Sequence, residues 1–280
     1  MNDVDPHAAV HGSEHLSSEP AMDLPAEGEP VQAMSPALSP WGPWATVGWT
    51  LLAMVLFLIV SIGVATAIII VLAVTGLIDP GSLQEMDFTE LLWVDMSASL
   101  LAGPAAVLLL LGAIKLRRWP IRRYLAWRSC SVMAMVLSLI GGAAYLGGEL
   151  LLNQWLDRPI PEFMTQILAV RPAWPVVLLA VVVVAPLTEE LVFRGFMYRG
   201  LAASRLGLAG AILIPSLLWA LVHVQYEWLD VAFIFGLGIL LGFTRHLTGS
   251  IWPAIGVHVL VNLVSMGLMM IYIATGVVEV

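Results

Sequence analysis

The sequence contains few charged residues. Only 11% of its 280 residues are Asp, Glu, Lys or Arg, whereas soluble domains carry about 25%. Hydrophobic residues account for 60%, and the mean hydropathy is +0.92. Several uncharged runs exceed the roughly 20 residues that a helix needs to cross a bilayer. This composition excludes an ordinary soluble domain and predicts a multi-pass protein of the cell membrane, with the lipid bilayer as its surroundings.

Cysteine and basic residues are also scarce. The single cysteine, Cys130, excludes an internal disulfide and a cysteine-rich metal site. The 12 Lys and Arg residues are outnumbered by 20 Asp and Glu residues, which gives a net charge of −8. No nucleic-acid partner is expected, because binding to phosphates requires a basic surface that this chain lacks.

Residues 1–43 form the first of three predicted regions. The first 40 residues contain seven acids but no Lys, Arg or aromatic residue. A segment of this composition cannot bury enough apolar surface to fold, so a disordered acidic tail is predicted. The second region, 44–173, is predicted to hold the N-terminal transmembrane helices, and the third, 174–280, a transmembrane core that carries the polar motifs described below.

Seven apolar segments follow the tail. A polar connection at 153–173 separates the third segment from the fourth, and a short amphipathic helix within it is an eighth candidate membrane element. We therefore predict an all-α, polytopic bundle of about seven to eight transmembrane helices around an intramembrane polar cavity. The predicted spans are 44–75, 91–114, 132–152, 174–198, 208–224, 229–243 and 251–275.

Basic residues predict the orientation of these spans. With the tail inside, nine Lys or Arg residues fall on the cytoplasmic side and two on the opposite side, which obeys the positive-inside rule. The N-terminus is therefore predicted to be cytoplasmic. The cytoplasmic set is Lys115, Arg117, Arg118, Arg122, Arg123, Arg128, Arg199, Arg205 and Arg245, and the opposite set is Arg158 and Arg171.

Two adjacent carboxylates end the apolar run of the fourth span, where residues 185–195 are APLTEELVFRG. An ionised carboxylate in a bilayer costs a few kcal/mol or more, so a pair of them indicates a function. On a helix Glu190 and Arg194 share one face, which predicts a structural ion pair. Glu189 points about 100° away and has no partner on its own helix, so we expect it to be available as a general base.

Three further polar residues lie in the last predicted spans: His223, His258 and Asn262. His258 and Asn262 are four residues apart and therefore share a helix face. We predict that these three residues line one polar cavity together with Glu189 and Glu190. The rise per residue of a helix places Glu189 and His258 at similar depths in the membrane, but it places His223 too far away. Either a deeper start or a tilt of the fifth helix would account for this difference.

Three motifs in this order resemble the CPBP intramembrane proteases. They are Glu-Glu-x-x-x-Arg at 189–194, Trp-x-x-x-His at 219–223 and His-x-x-x-Asn at 258–262. The family includes the CAAX prenyl protease type 2 enzymes and bacterial relatives annotated for bacteriocin processing or immunity. The resemblance covers about 174–270, and the first half of the chain matches only as generic membrane helices. Trp219 stands where the family usually has Phe, a difference that keeps an aromatic wall.

The resemblance implies an intramembrane endopeptidase, whose substrate is a membrane peptide or a lipidated protein such as a prenylated one. Glu189 and His223 are then expected to activate the attacking water, while His258 and Asn262 stabilise the oxyanion. A competing view of the family places a zinc ion on Glu189, His223 and His258, ligand types that zinc accepts. The residues leave both alternatives open, so no cofactor is certain.

Two other classes of function remain as alternatives. A non-catalytic adaptor or a bacteriocin-immunity-like protein could keep the same cavity for binding a partner. An ion-coupled transporter is less favoured, because the sequence has no internal repeat or paired broken helices. Signatures of other intramembrane proteases, namely His-Glu-x-x-His, Gly-x-Ser-x-Gly and Gly-x-Gly-Asp, are absent. Substrate identity and self-association are not determined by the sequence.

Overall fold

The chain folds as a helical bundle. A computed structural model describes residues 39–79, 81, 88–169 and 171–277, and within these ranges there is no β-strand. The predicted all-α class is therefore confirmed. Residues 1–38 of the predicted tail lie outside the described ranges, so the disorder of the tail stays a prediction.

Eleven α-helices occur in the described ranges, and three of them belong to one continuous helical stretch, Arg171–Ala202. In that stretch, π-helical turns at Leu179–Val184 and Leu191–Met197 join α6, α7 and α8. In chain order the helices are α1 (Pro43–Val74), α2 (Phe88–Leu116), α3 (Ile121–Tyr124), α4 (Val132–Trp155), α5 (Glu162–Ala169), α6 (Trp174–Leu178), α7 (Ala185–Glu190), α8 (Tyr198–Ala202), α9 (Gly207–Leu221), α10 (Trp228–Thr248) and α11 (Trp252–Ala274).

Six helical stretches in the described part are long and apolar enough to cross a membrane, one or two fewer than the predicted seven to eight. The difference lies in the predicted span 208–224, which forms the 15-residue α9. At 1.5 Å per residue, α9 is only about 22 Å long, shorter than a hydrocarbon core of about 30 Å. The eighth candidate is α5, which has 8 residues. The six stretches are α1, the part of α2 from Leu91 to Leu116, α4, Arg171–Ala202, α10 and α11.

Apolar side chains cover much of the outer surface of the bundle. On α1, for example, Leu58, Ile59 and Ile62 are exposed, while the small or polar Thr50, Ala53 and Ser61 are buried. This inverted pattern suits a helix that faces lipid, because lipid tails are as apolar as the exposed side chains. The protein is a multi-pass membrane protein by these criteria.

Two glycines let neighbouring helices approach closely around the polar motifs. A Cβ added at Gly142 of α4 would lie 2.6 Å from Val257 Cγ1 of α11. A Cβ added at Gly103 of α2 would lie 2.5 Å from Thr188 Oγ1 of α7. Both contacts are next to motif residues in the sequence, since Val257 precedes His258 and Thr188 precedes Glu189. Small residues therefore set the positions of α7 and α11, as is common in membrane bundles.

Candidate active site

Glu189 and Glu190 form the last turn of α7, between the two π-helical turns. A π turn contains an extra residue relative to the α register, and such turns are frequent at functional sites. The two neighbouring carboxylates point to different environments. The Glu189 side chain is 27% exposed, whereas the Glu190 side chain is fully buried. This difference in burial agrees with the expectation of different roles for the two glutamates.

Glu190 is the centre of a buried charge network. Its Oε1 accepts hydrogen bonds from Arg194 Nη1 at 2.8 Å and is 3.0 Å from His258 Nδ1. Arg194 also donates through Nη2 to the Gly238 carbonyl at 3.0 Å. The ion pair expected from the four-residue spacing is present. Because a buried charge is tolerated only when it is paired and hydrogen-bonded, this network explains how both groups can be fully enclosed.

Glu189 has a partner from another helix. The indole Nε1 of Trp219, on α9, donates a 2.6 Å hydrogen bond to Glu189 Oε2. His258 Nε2 lies 3.8 Å from the same oxygen. The sequence spacing gave Glu189 no partner on its own helix, and that remains true. The partner is Trp219, for which the sequence predicted an aromatic wall but not a hydrogen-bond donor.

His223 lies just after α9, which ends at Leu221. Its Nδ1 is 2.7 Å from the carbonyl oxygen of Trp219. A carbonyl oxygen only accepts, so Nδ1 carries the hydrogen and Nε2 keeps a free lone pair in the neutral ring. Helix rise along an unbroken span placed His223 too far from Glu189. In the structure α9 is short and both residues line the same cavity, which removes that discrepancy.

His258 and Asn262 occupy successive turns of α11. Asn262 donates through Nδ2 to the carbonyl oxygen of Val181 at 2.8 Å. Val181 belongs to the first π-helical turn, so Asn262 ties α11 to the irregular backbone just before α7. One of the two amide hydrogens of Asn262 is used in this bond, and the second is left for a ligand.

A cavity of about 850 Å³ joins four of the five predicted site residues. Glu189, His223, His258 and Asn262 line it, whereas Glu190 does not. Glu190 instead lies behind His258 and binds its other ring nitrogen. The wall is mostly apolar, which suits a peptide or lipid chain with few polar groups. Among the apolar lining residues are Met54, Phe57, Met96, Phe163, Phe233 and Leu237.

The same cavity has a second polar region that the sequence analysis did not predict. It is lined by Glu149 and Asn153 of α4, by Arg158 in the connection that follows, and by Asp230 of α10. Arg158 binds Asp230 through Nη1 and Nη2 at 2.7 and 3.3 Å, and Glu227 through Nη2 at 3.0 Å. The pKa of the Arg158 guanidinium is raised, chiefly by the hydrogen bond to Asp230. The sequence feature that could have indicated this region is Glu149, an acidic residue near the end of the predicted span 132–152.

Metal coordination was one of the alternatives that the sequence left open. In the described ranges, no three His, Cys, Asp or Glu side chains are grouped so that they could hold a metal ion together. His258 Nδ1 and His223 Nδ1 have partners, Glu190 and the Trp219 carbonyl, so Nε2 would be the coordinating nitrogen of either ring. The described residues therefore show no preformed group of three zinc ligands, and zinc binding stays a prediction.

Comparison with known proteins agrees with the arrangement of the three motifs. Residues 171–264 match the family described as Rce1-like, type II CAAX prenyl endopeptidase. This segment is similar to that family. It contains Glu189, Trp219, His223, His258 and Asn262. The resemblance to the CPBP and CAAX proteases that the motifs predicted is confirmed for this segment.

One curated relative is similar to part of the chain. An uncharacterized 24.3 kDa protein of Escherichia coli is 32% identical over 127 residues, which cover 43% of this chain and 58% of that protein. The matched stretch thus covers less than two thirds of the relative. No solved structure matches this chain.

Proposed function

We propose that the protein is an intramembrane endopeptidase, which hydrolyses a peptide bond of a membrane-associated substrate with water activated by Glu189 and His223. The observation that carries this proposal is the cavity of about 850 Å³, where Glu189, His223, His258 and Asn262 meet inside an apolar bundle. The similarity of residues 171–264 to the Rce1-like family supports the peptidase class. Substrates with an apolar or lipidated segment, including prenylated ones, suit the apolar wall.

The first step is the attack of water on the scissile carbonyl carbon. Glu189 Oε2 is bound by Trp219, so Oε1 is the oxygen available to take a proton from the water. His223 Nε2 has a lone pair that orients the same water, because its Nδ1–H is held by the Trp219 carbonyl. As the water oxygen bonds to carbon, the carbonyl electron pair moves onto oxygen and forms a tetrahedral oxyanion.

The second step collapses this intermediate. Asn262 donates its free amide hydrogen, and His258 can donate from Nε2 when both of its nitrogens are protonated, so both are suited to stabilise the oxyanion. The electron pair then returns from oxygen to carbon, and the carbon–nitrogen bond breaks. The proton held by Glu189 passes to the leaving nitrogen. The products are a carboxylic acid and an amine, which together contain all the atoms of one water molecule and one peptide bond.

Cleavage by the purified full-length protein in detergent tests the proposal. The substrates are a C-terminally prenylated peptide and a library of unmodified peptides. We expect Glu189→Ala and His258→Ala to abolish cleavage while the thermal unfolding transition remains. Glu227→Gln is the control, because it removes a carboxylate that is exposed and does not line the cavity.

Two results would contradict the assignment. Cleavage that persists in both Glu189→Ala and His258→Ala would exclude the proposed residues. A folded wild-type protein that cleaves no peptide in either set would favour the non-catalytic adaptor instead.

A further inference from the structure

We infer that Trp219 is a positioning residue that fixes the general base of the proposed reaction through its indole N–H. The inference rests on the proposed function and concerns one hydrogen bond within that site. Trp219 Nε1 donates to Glu189 Oε2 at 2.6 Å, across 30 residues of sequence and between two helices. Trp219 is only 2% exposed, so water does not compete for its donor.

The chemistry of the bond determines which oxygen of Glu189 reacts. An indole N–H can donate but cannot accept, and hydrogen bonds of this kind to a charged acceptor are the strong ones. The bond occupies Oε2 and stops rotation of the carboxylate about its terminal torsion. Oε1 is therefore left as the oxygen that can take the proton from the attacking water. Without the bond the carboxylate could rotate, and the reactive orientation would be populated for a smaller fraction of the time.

Three neighbours hold the indole ring in place. The guanidinium carbon of Arg194 lies 4.7 Å from the ring centroid, over its face. The rings of His223 and His258 contact it edge-on, with centroids 5.3 and 5.1 Å away. The backbone carbonyl of Trp219 also binds His223 Nδ1. Trp219 thus contacts both histidines and the general base, so one residue fixes the relative positions of all three.

A purely structural role and a positioning role for Trp219 predict different catalytic rates for the Trp219→Phe variant. Phenylalanine at this position keeps an aromatic ring between Arg194 and the two histidines, but it removes the N–H. If Trp219 only fills space, Trp219→Phe should behave like the wild type in catalysis. If the N–H positions Glu189, the same variant should fold normally and react slowly.

The first measurement is steady-state kinetics of the full-length protein in detergent. We expect Trp219→Phe to lower kcat roughly ten- to hundred-fold, the range for a lost hydrogen bond to a charged group. KM should stay within about two-fold, because the bond acts on the base and not on substrate binding. An unchanged kcat, or a loss that appears mainly in KM, would overturn the inference.

The second measurement detects the bond without using activity. In protein labelled with 15N-indole tryptophan, the signal that disappears in Trp219→Phe identifies Trp219 among the 11 tryptophans. Glu189→Gln should move this signal upfield, because the bond to a charged acceptor is weakened. Glu149→Gln removes a carboxylate elsewhere on the same cavity and should leave the signal in place. If the chemical shift of the Trp219 indole N–H is the same in Glu189→Gln as in the wild type, the inference is overturned.

The two measurements separate failure of the inference from failure of the proposed function. Wild-type protein that cleaves no peptide contradicts the proposed function, and the positioning role is then overturned with it even if the indole signal responds to Glu189. Wild-type cleavage with unchanged kcat in Trp219→Phe contradicts only the positioning role, and the proposed function stands.

Discussion

Glu190 and His258 are bound to each other across 68 residues of sequence, through a 3.0 Å contact between carboxylate Oε1 and ring Nδ1. The same oxygen accepts from Arg194. The second oxygen, Oε2, is buried and has no hydrogen-bond partner among the described residues. Among the described residues, Glu190 therefore bonds through Oε1 alone, and this atom links the buried Arg194 cation to His258 of the cavity.

Replacing Glu190 should therefore affect both stability and catalysis. Glu190→Gln leaves Arg194 as a buried cation without its hydrogen-bonded carboxylate, and we expect a loss of about 3–5 kcal/mol in the free energy of unfolding. The double variant Glu190→Leu/Arg194→Met removes both charges and should regain most of that stability. It should still cleave slowly, because His258 has lost the partner of Nδ1. The free energy of unfolding and kcat of both variants test these expectations. A double variant as active as the wild type would contradict the role of Glu190 as the partner of His258.

Adjacent glycines on α4 provide a matched test of helix packing. Gly142→Ala places a methyl group 2.6 Å from Val257 Cγ1, whereas Gly141→Ala meets no atom within 4 Å. We expect Gly142→Ala to lower the free energy of unfolding by about 1–3 kcal/mol through overpacking. It should also lower kcat, since Val257 precedes His258 on α11. Gly141→Ala should be neutral or slightly stabilising. Equal unfolding temperatures for the two variants would show that α4 and α11 do not approach closely there.

The two acids that bind Arg158, Asp230 and Glu227, differ in burial, so their contributions to the free energy of unfolding should differ as well. The Asp230 side chain is 9% exposed and makes two bonds to Arg158, while Glu227 is 73% exposed and makes one. Asp230→Asn should lower the free energy of unfolding by about 1–3 kcal/mol, as expected for a hydrogen bond between charged groups. Glu227→Gln should cost less than about 1 kcal/mol, because water screens an exposed pair. Chemical denaturation in detergent measures both, and the reverse order would contradict the assignment of Asp230 as the main partner.

Chelation decides between acid–base and zinc chemistry. We expect cleavage to continue after treatment with a strong chelator, because no three His, Cys, Asp or Glu side chains among the described residues form a common metal site. The measurement is the cleavage rate before and after chelation, together with the zinc content of the protein. Loss of activity that added zinc restores would support zinc on Glu189, His223 and His258 instead.

Cys130 allows the predicted orientation to be tested in the natural sequence. It is the single cysteine, it is partly exposed, and it lies in the connection between α3 and α4. With the N-terminus in the cytoplasm, a membrane-impermeant thiol reagent should label Cys130 in inverted vesicles but not in right-side-out vesicles. A Cys130→Ser/Asp157→Cys variant places the thiol in the connection after α4 and should show the opposite pattern. Labelling of Cys130 from outside would reverse the predicted orientation.

Local patterns in the sequence were enough to find the helices and most of the site. Long apolar runs are recognised from hydropathy alone, because a bilayer requires about 20 apolar residues in a row. The Glu190–Arg194 pair and the shared face of His258 and Asn262 depend only on spacing along one helix. These features were predicted because each involves residues close together in the chain.

The relations between different helices required the tertiary structure. Nothing in the spacing shows that α9 ends at Leu221 and turns, which brings His223 to the cavity. The bond from Trp219 to Glu189 and the second polar region around Glu149 and Asp230 likewise join separate helices. Their geometry depends on helix tilt, on the two π-helical turns and on close packing at glycines. Hydropathy and periodicity determined which residues lie in the membrane, and packing between the helices decided which of them meet.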